Sequence, residues 1–307
     1  MKNLVFVLMS GLFIGNFCGV RAQKPFYESY DVTSDSVFMT WAEGPAVDAD
    51  GVLYAVNYGH KGTIGYVKTN GAHELFVNLP EGSVGNGIRL WKDHTLFVAD
   101  YTNHNILQIN IPDKTISVFA HNDQMNQPND LAITSEGIIY ASDPDWENST
   151  GRLWMIDREG KFTLLESDMG TTNGIEVSPD EKHLYVNESD QRNVWVYDIQ
   201  EDGTVANKQL LKKFEKYGMD GMRCDIKGNL YVTRMSKGTV AVLSPEGELL
   251  REIALKGDKP TNVAFGGEDG KTVYVTVADR GAIEAFRTEI PGRSISLIKL
   301  WYGIVDR

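Results

Sequence analysis

Leu53-Tyr54-Ala55-Val56 decides the fold of this chain, because the same short strand returns five more times. It recurs as Leu96-Phe97-Val98-Ala99, Ile139-Tyr140-Ala141-Ser142, Leu184-Tyr185-Val186-Asn187, Leu230-Tyr231-Val232-Thr233 and Val273-Tyr274-Val275-Thr276. The aromatic stands at 54, 97, 140, 185, 231 and 274, so the steps are 43, 43, 45, 46 and 43 residues. A period of that length, carried by strands, marks a β-propeller in which each repeat is one four-stranded blade. The sequence therefore predicts an all-β, six-bladed β-propeller with four-stranded blades around a central channel.

Working outward from that strand, each repeat divides into four. The third reads as Leu131–Thr134, Ile138–Ser142, Arg152–Asp157 and Lys161–Glu166, and the fourth as Ile175–Ser178, His183–Asn187, Asn193–Ile199 and Asn207–Phe214. Short Gly-, Asp- and Pro-containing connections between β-branched and aromatic runs are hairpin chemistry. The sixth repeat supplies three clear strands, ending near Phe286. Its fourth is expected from the N-terminal side (Ser36–Trp41) or from the tail (Ile295–Trp301), since a strand from the other terminus removes the open edge.

A propeller brings equivalent residues of every blade to one axis, and here a polar column recurs. Eleven or twelve positions before each aromatic stand Glu43, Asn86, Asn129, Asn173, Asp220 and Asn262. Antiparallel strand order places this column at one end of the channel. It lies beside the loops carrying His60, Tyr101, His104, Asp143, Asp145, Trp146, Arg192, Arg234 and Arg280. Those loops are richer than the turns opposite, as a binding face on a rigid scaffold should be. Glu43, Asn129, Asn173 and Asp220 offer two anionic and two neutral oxygens. Hard oxygen donors of this kind suit Ca²⁺, Mg²⁺ or Mn²⁺ better than Zn²⁺. The structural alternative is a column whose members bond only to one another and to channel water.

The bulk numbers set the context. Lys2, the apolar run from Leu4 to Val20 and Val20-Arg21-Ala22 read as a secretory signal peptide cleaved after residue 22, leaving 23–307 as one domain. Removing Lys2 and Arg21 leaves 28 basic against 42 acidic residues, a net charge of −14. Nucleic-acid phosphates need a basic face, so that partner is not expected. No second apolar run follows, so no membrane partner is expected after cleavage; the expectation is a secreted or periplasmic monomer. Only Cys224 survives cleavage, which excludes an intrachain disulfide.

The motifs Glu43-Gly44-Pro45, Pro128-Asn129-Asp130, Asn173-Gly174, Asp220-Gly221 and Ala264-Phe265-Gly266-Gly267 resemble those of the senescence marker protein/regucalcin–gluconolactonase family. Order and spacing match from about Trp41 to Arg293. The resemblance implies a divalent cation in the central channel, Ca²⁺ first and Mg²⁺, Mn²⁺ or Zn²⁺ as alternatives. It implies Glu43, Asn173 and Asp220 as ligands, with Asn129 a ligand or a substrate-orienting residue. It further implies Asp220 as the catalytic carboxylate, general base or nucleophile, in a lactone hydrolase acting on a small molecule. One position departs: sugar-lactone members commonly carry Arg where this chain has Gln127, which puts gluconolactone itself in doubt.

Asn86, Gln127, His104 and Trp146 are expected near substrate together with Asn129. Arg192, Arg234 and Arg280 are read first as solvated loop cations and second as replacements for the missing Arg. Cys224 reads as core. Two other readings remain open on the sequence: a phosphotriester or aryl-ester hydrolase using the same site, and a non-enzymatic propeller with a structural metal.

Overall fold

The computed structural model describes residues 25–303, so the proposed signal peptide lies outside the described residues. Six four-stranded antiparallel sheets form the six blades. Blade 1 runs Phe38–Val47, Leu53–Tyr58, Thr63–Val67 and His73–Asn78. Blades 2 to 5 begin at Gly85, Leu131, Thr172 and Met222, each made of four consecutive strands.

Blade 6 is closed from the N-terminal side, one of the two expectations, but by a segment earlier than Ser36–Trp41. Its three C-terminal strands, Pro260–Gly266, Thr272–Val277 and Ala282–Arg287, are completed by Tyr30–Asp31, with Tyr30 opposite Ala285. Ser36–Trp41 instead leads into the first strand of blade 1, and Ile295–Trp301 lies in a helix. Two residues suffice because the third strand needs only its outer edge covered.

Burial explains the sequence patterns. Thr95–Asp100, the second strand of blade 2, is buried at every position because neighbouring blades cover both faces. The outermost strand of the same blade, Ile116–His121, is exposed at Ser117, Val118 and His121 and buried only at Ala120. There is no single central core. Apolar side chains form six clusters, each a wedge between adjacent blades: Tyr54, Val56 and Phe76 of blade 1 meet Ile88, Val98 and Leu107 of blade 2. Val47 and Leu53 meet Ala264 and Ile283 where blade 6 returns to blade 1. The periodic aromatics sit in these wedges; Tyr54 donates to Asp48 Oδ2 at 3.0 Å, Tyr140 to the Gly203 carbonyl at 2.7 Å, and the Tyr231 hydroxyl meets Thr288 Oγ1 at 2.8 Å. Cys224 is buried there as well.

The one helix among the described residues, Arg293–Tyr302, lies at the turn end of the channel. A small cavity of about 60 Å³ under it is lined from all six blades, by Ala46, Leu90, Ile133, Glu176, Cys224 and Phe265 among others. The helix therefore sits across the end of the channel. Trp301 packs on Trp91 with ring centroids 4.9 Å apart, and Gly303 ends the helix at φ +64°. No helix among the described residues is long and apolar enough to cross a membrane.

Candidate functional site

The polar column stands at the opposite end, where the first strands begin. In blades 1, 2, 4 and 6 the ladder is interrupted beside Glu43, Asn86, Asn173 and Asn262. Such bulges re-aim side chains. In blades 3 and 5, Asn129 and Asp220 precede short strands, Leu131–Ile133 and Met222–Cys224. The glycine that follows most column residues has a steric cause. A Cβ at Gly44 would fall inside van der Waals contact of the Asn86 carbonyl, and one at Gly221 inside the Asn262 amide. Gly87 and Gly174 stand in the same relation to Asp130 and to the Asp220 carbonyl. Each column glycine is thus the space into which the next blade fits.

The column is buried except at the half-buried Asn86, with Glu43 5% and Asp220 8% exposed. Glu43 Oε2 accepts from Gly44 N at 2.5 Å and from Asn262 Nδ2 at 3.1 Å. Asn86 Nδ2 donates to the Asn129 carbonyl at 3.0 Å, and Asn173 Nδ2 to Ser189 Oγ at 3.1 Å. The Asp220 carboxylate lies against that of Glu43 and within reach of the Asn173 amide. Burial, and after it the negative charge of Asp130, pushes Glu43 up to about 7. Burial and then the Glu43 charge raise Asp220 well above the ordinary carboxylate range.

Two buried acids are thus held together with no basic partner between them, an arrangement that resists full ionisation. The amide oxygens Asn129 Oδ1 and Asn173 Oδ1 are buried and accept no hydrogen bond from the described residues. Buried acceptors are rarely left so. Among the described residues no group of three or more His, Cys, Asp and Glu side chains could hold a metal. Two carboxylates and two amide oxygens lie outside that count. As a donor set they fit a hard divalent cation, which would supply the missing positive charge and a partner for both orphaned oxygens.

Above the column opens a cavity of about 610 Å³. Glu43, Asn86, Asn129, Asn173, Asp220 and Trp146 all line it, so the fold brings these expected residues together. His104 and Gln127 do not line it. The Gln127 backbone N–H donates to Asp143 Oδ1 at 2.6 Å, and His104 stands in a loop at φ +54°. Asp143 is fully buried and also accepts from Trp154 Nε1, so it is a structural residue.

None of the three arginines weighed as replacements lines the cavity. Arg234 is not a solvated cation: it is buried, its guanidinium 3.6 Å from the Phe214 ring centroid. Arg280 is bound by Asp31, Asp35 and Glu284. Sequence reasoning did not single out Trp41, Asn57, Lys61, Ser189 and Asp190, which do line the cavity. Ser189-Asp190 immediately follows a repeat strand, a positional cue; Trp41 carries none, because a bulge breaks the alternation before Glu43.

The family model for the SMP-30/Gluconolactonase/LRE-like region matches residues 41–279. This chain belongs to that family. It is 29% identical over 217 residues to a gluconolactonase of Zymomonas mobilis, covering 63% of this chain and 60% of that protein. The chain thus spans about three-fifths of the length of that curated relative. It is 26% identical over 301 residues to a diisopropyl-fluorophosphatase of Loligo vulgaris, covering 86% of this chain and 94% of the relative. A crystal structure of a calcium-binding protein, regucalcin, from Agrobacterium tumefaciens superposes with TM-score 0.76 at 20% identity, covering 88% of this chain and 96% of that one. At that identity the likeness is one of fold.

Within this SMP-30/gluconolactonase chain a second buried polar group lies further down the channel. Asp130 meets Arg89 at 3.1 Å and Arg223 at 3.0 Å. Glu176 follows, 3.9 Å from Arg223 and 3.5 Å from Arg293 of the C-terminal helix, which also binds Glu181 at 2.6 Å. Burial alone would raise Asp130, but Arg223 and Arg89 hold it below the usual range. Burial and then the Arg223 charge lower Arg89 to about 10, against the pull of Asp130.

Proposed function

We propose that this protein is an exported, monomeric, metal-dependent hydrolase that opens a sugar-type lactone. The observation that carries the reading is the pair of orphaned amide oxygens, Asn129 Oδ1 and Asn173 Oδ1, beside two mutually repelling buried carboxylates. Glu43, Asn173, Asp220 and Asn129 would hold one divalent cation, Ca²⁺ first. When bound, it supplies Lewis-acid stabilisation of charge developing on the lactone carbonyl oxygen. Family membership and a gluconolactonase relative support the reaction class.

The chain's own residues perform the proton chemistry. Asp220 takes a proton from water as that water attacks the carbonyl carbon. The bond from carbonyl carbon to ring oxygen then breaks, and the ring oxygen leaves with the proton returned by Asp220, giving a hydroxy acid. Asn129 and Asn86 orient the ring above the column. Removal from bulk water strengthens each of these interactions.

A second reading, phosphotriester hydrolysis at the same site, is favoured by the match to the Loligo vulgaris diisopropyl-fluorophosphatase over 94% of that protein's length. The deciding experiment is turnover of γ- and δ-lactones, an aryl ester and a fluorophosphate, after chelation and after restoring Ca²⁺, Mg²⁺, Mn²⁺ or Zn²⁺. Lactone turnover that vanishes with chelator and returns with one cation is the expected result. Fluorophosphate turnover without lactone turnover transfers the reaction to the second reading. No turnover, with cation-dependent stability alone, overturns both.

A further inference from the structure

Between the paired residues Phe38 with Tyr58 and Glu43 with Val56, blade 1 carries residues 39–42 on its first strand against Asn57 alone on its second. A bulge of this kind bends the strand and re-aims a side chain. Both sides of it are left-handed: Trp41 at φ +70° and Asn57 at φ +65°. Asparagine tolerates that conformation, whereas for a bulky aromatic it is an outlier.

Core packing does not account for it, since Trp41 is 57% exposed, with the Lys259 ammonium 5.8 Å from its ring centroid, and lines the cavity. The strain is instead fixed from behind. Asn57 is buried, and its Nδ2 donates to the Trp41 carbonyl at 2.8 Å. Strained residues over-determined by their surroundings cluster at ligand clamps.

The rest of the cavity indicates what the indole faces. Tyr101 and Trp146, from blades 2 and 3, touch one another and add aromatic surface to the same cavity. Asn86, Ser236 and Thr261 line the same cavity, and the buried Asn57 Oδ1 has no hydrogen-bond partner among the described residues. Aromatic walls with a few convergent polar groups suit an amphipathic ring, one face C–H and the edge hydroxyl.

We propose that Trp41 is a substrate-stacking residue that selects ring-shaped, polyhydroxylated substrates, and that Asn57 is the positioning residue that holds its backbone. This rests on the sugar-type reading given above and adds to it the residues that would recognise the ring.

The test is equilibrium binding of glucono-δ-lactam, a non-hydrolysable mimic, read by tryptophan fluorescence in wild type, Trp41→Phe, Trp41→Gly and Asn57→Gly. Glycine suits the left-handed backbone, so Trp41→Gly should melt no lower than wild type while its Kd rises about tenfold. Trp41→Phe restores a stacking face and brings Kd back to within about threefold. Asn57→Gly keeps the backbone conformation but removes the amide that holds Trp41, so Kd rises in the same direction by less. With a turned-over lactone, KM follows Kd and kcat changes less than KM.

An unchanged Kd in folded Trp41→Gly overturns the proposal, as does loss of kcat at constant KM. Binding is read without turnover, so the two readings fail separately. Lactam binding that depends on Trp41 in a protein hydrolysing no lactone supports stacking and refutes only the reaction. A wild-type protein that binds no lactam overturns stacking whatever it hydrolyses.

Discussion

The two ends of the channel bury charge in opposite ways. Toward the helix, three guanidinium groups (Arg89, Arg223 and Arg293) interleave with three carboxylates (Asp130, Glu176 and Glu181). At the other end Glu43 and Asp220 face each other with amides for neighbours and no guanidinium between them. Burying a charge is costly unless it is paired. The lower set pairs its charges internally and so contributes structure. The upper set has no such partner, and positive charge there is what the proposed divalent ion would supply.

The sharpest way to break that contrast is Asp220→Asn. Turnover should fall by about 10³-fold or more through loss of the base, while the cation-free protein melts higher because the repulsion with Glu43 is gone. A protein that keeps its kcat contradicts the role of the upper carboxylates. At the lower end the effect should be on stability. Arg223→Ala leaves Asp130 and Glu176 short of a partner and should cost about 3–5 kcal/mol in urea unfolding.

Acidity separates the ends further. The folded-state pKa of Glu43, about 7, lies above its ordinary value of 4.5, so the folded protein binds more protons than the unfolded one between those values. The contribution of Glu43 to stability is therefore present below about pH 4.5 and is lost as pH rises toward about 7. In chelator, the Glu43→Gln variant should lose less Tm than wild type across that window; adding Ca²⁺ should raise the wild-type Tm most at its alkaline end. The smallest effect is a control. Arg158 and Glu136 form an exposed pair at 3.8 Å, and Arg158→Ala should leave Tm unchanged within error, since surface pairs contribute little.

The propeller and its polar column were legible because both are periodic, and a period survives uncertainty about any one strand. The Xaa-Gly motifs were legible too, although their cause, room for the next blade's backbone, is visible only in three dimensions. What escaped lacks a local signal. Tyr30–Asp31 is too short to alternate. Ile295, Leu297 and Ile298 read as strand as readily as helix, with no acidic first turn and no side-chain cap to mark a start; the channel end they cover decides. Arg89 and Arg223 are single residues in apolar strands, and only the axis brings them to Asp130. The Trp41 bulge defeats alternation itself, so the register that located Glu43 could not place its neighbour two residues earlier.

The helix across the lower end gives the channel one working door. A molecule reaching the column must leave past Trp41, Tyr101 and Trp146, the way it came. A departing product and an arriving substrate would therefore share that passage, and the helix bars a polymer from being threaded through from end to end.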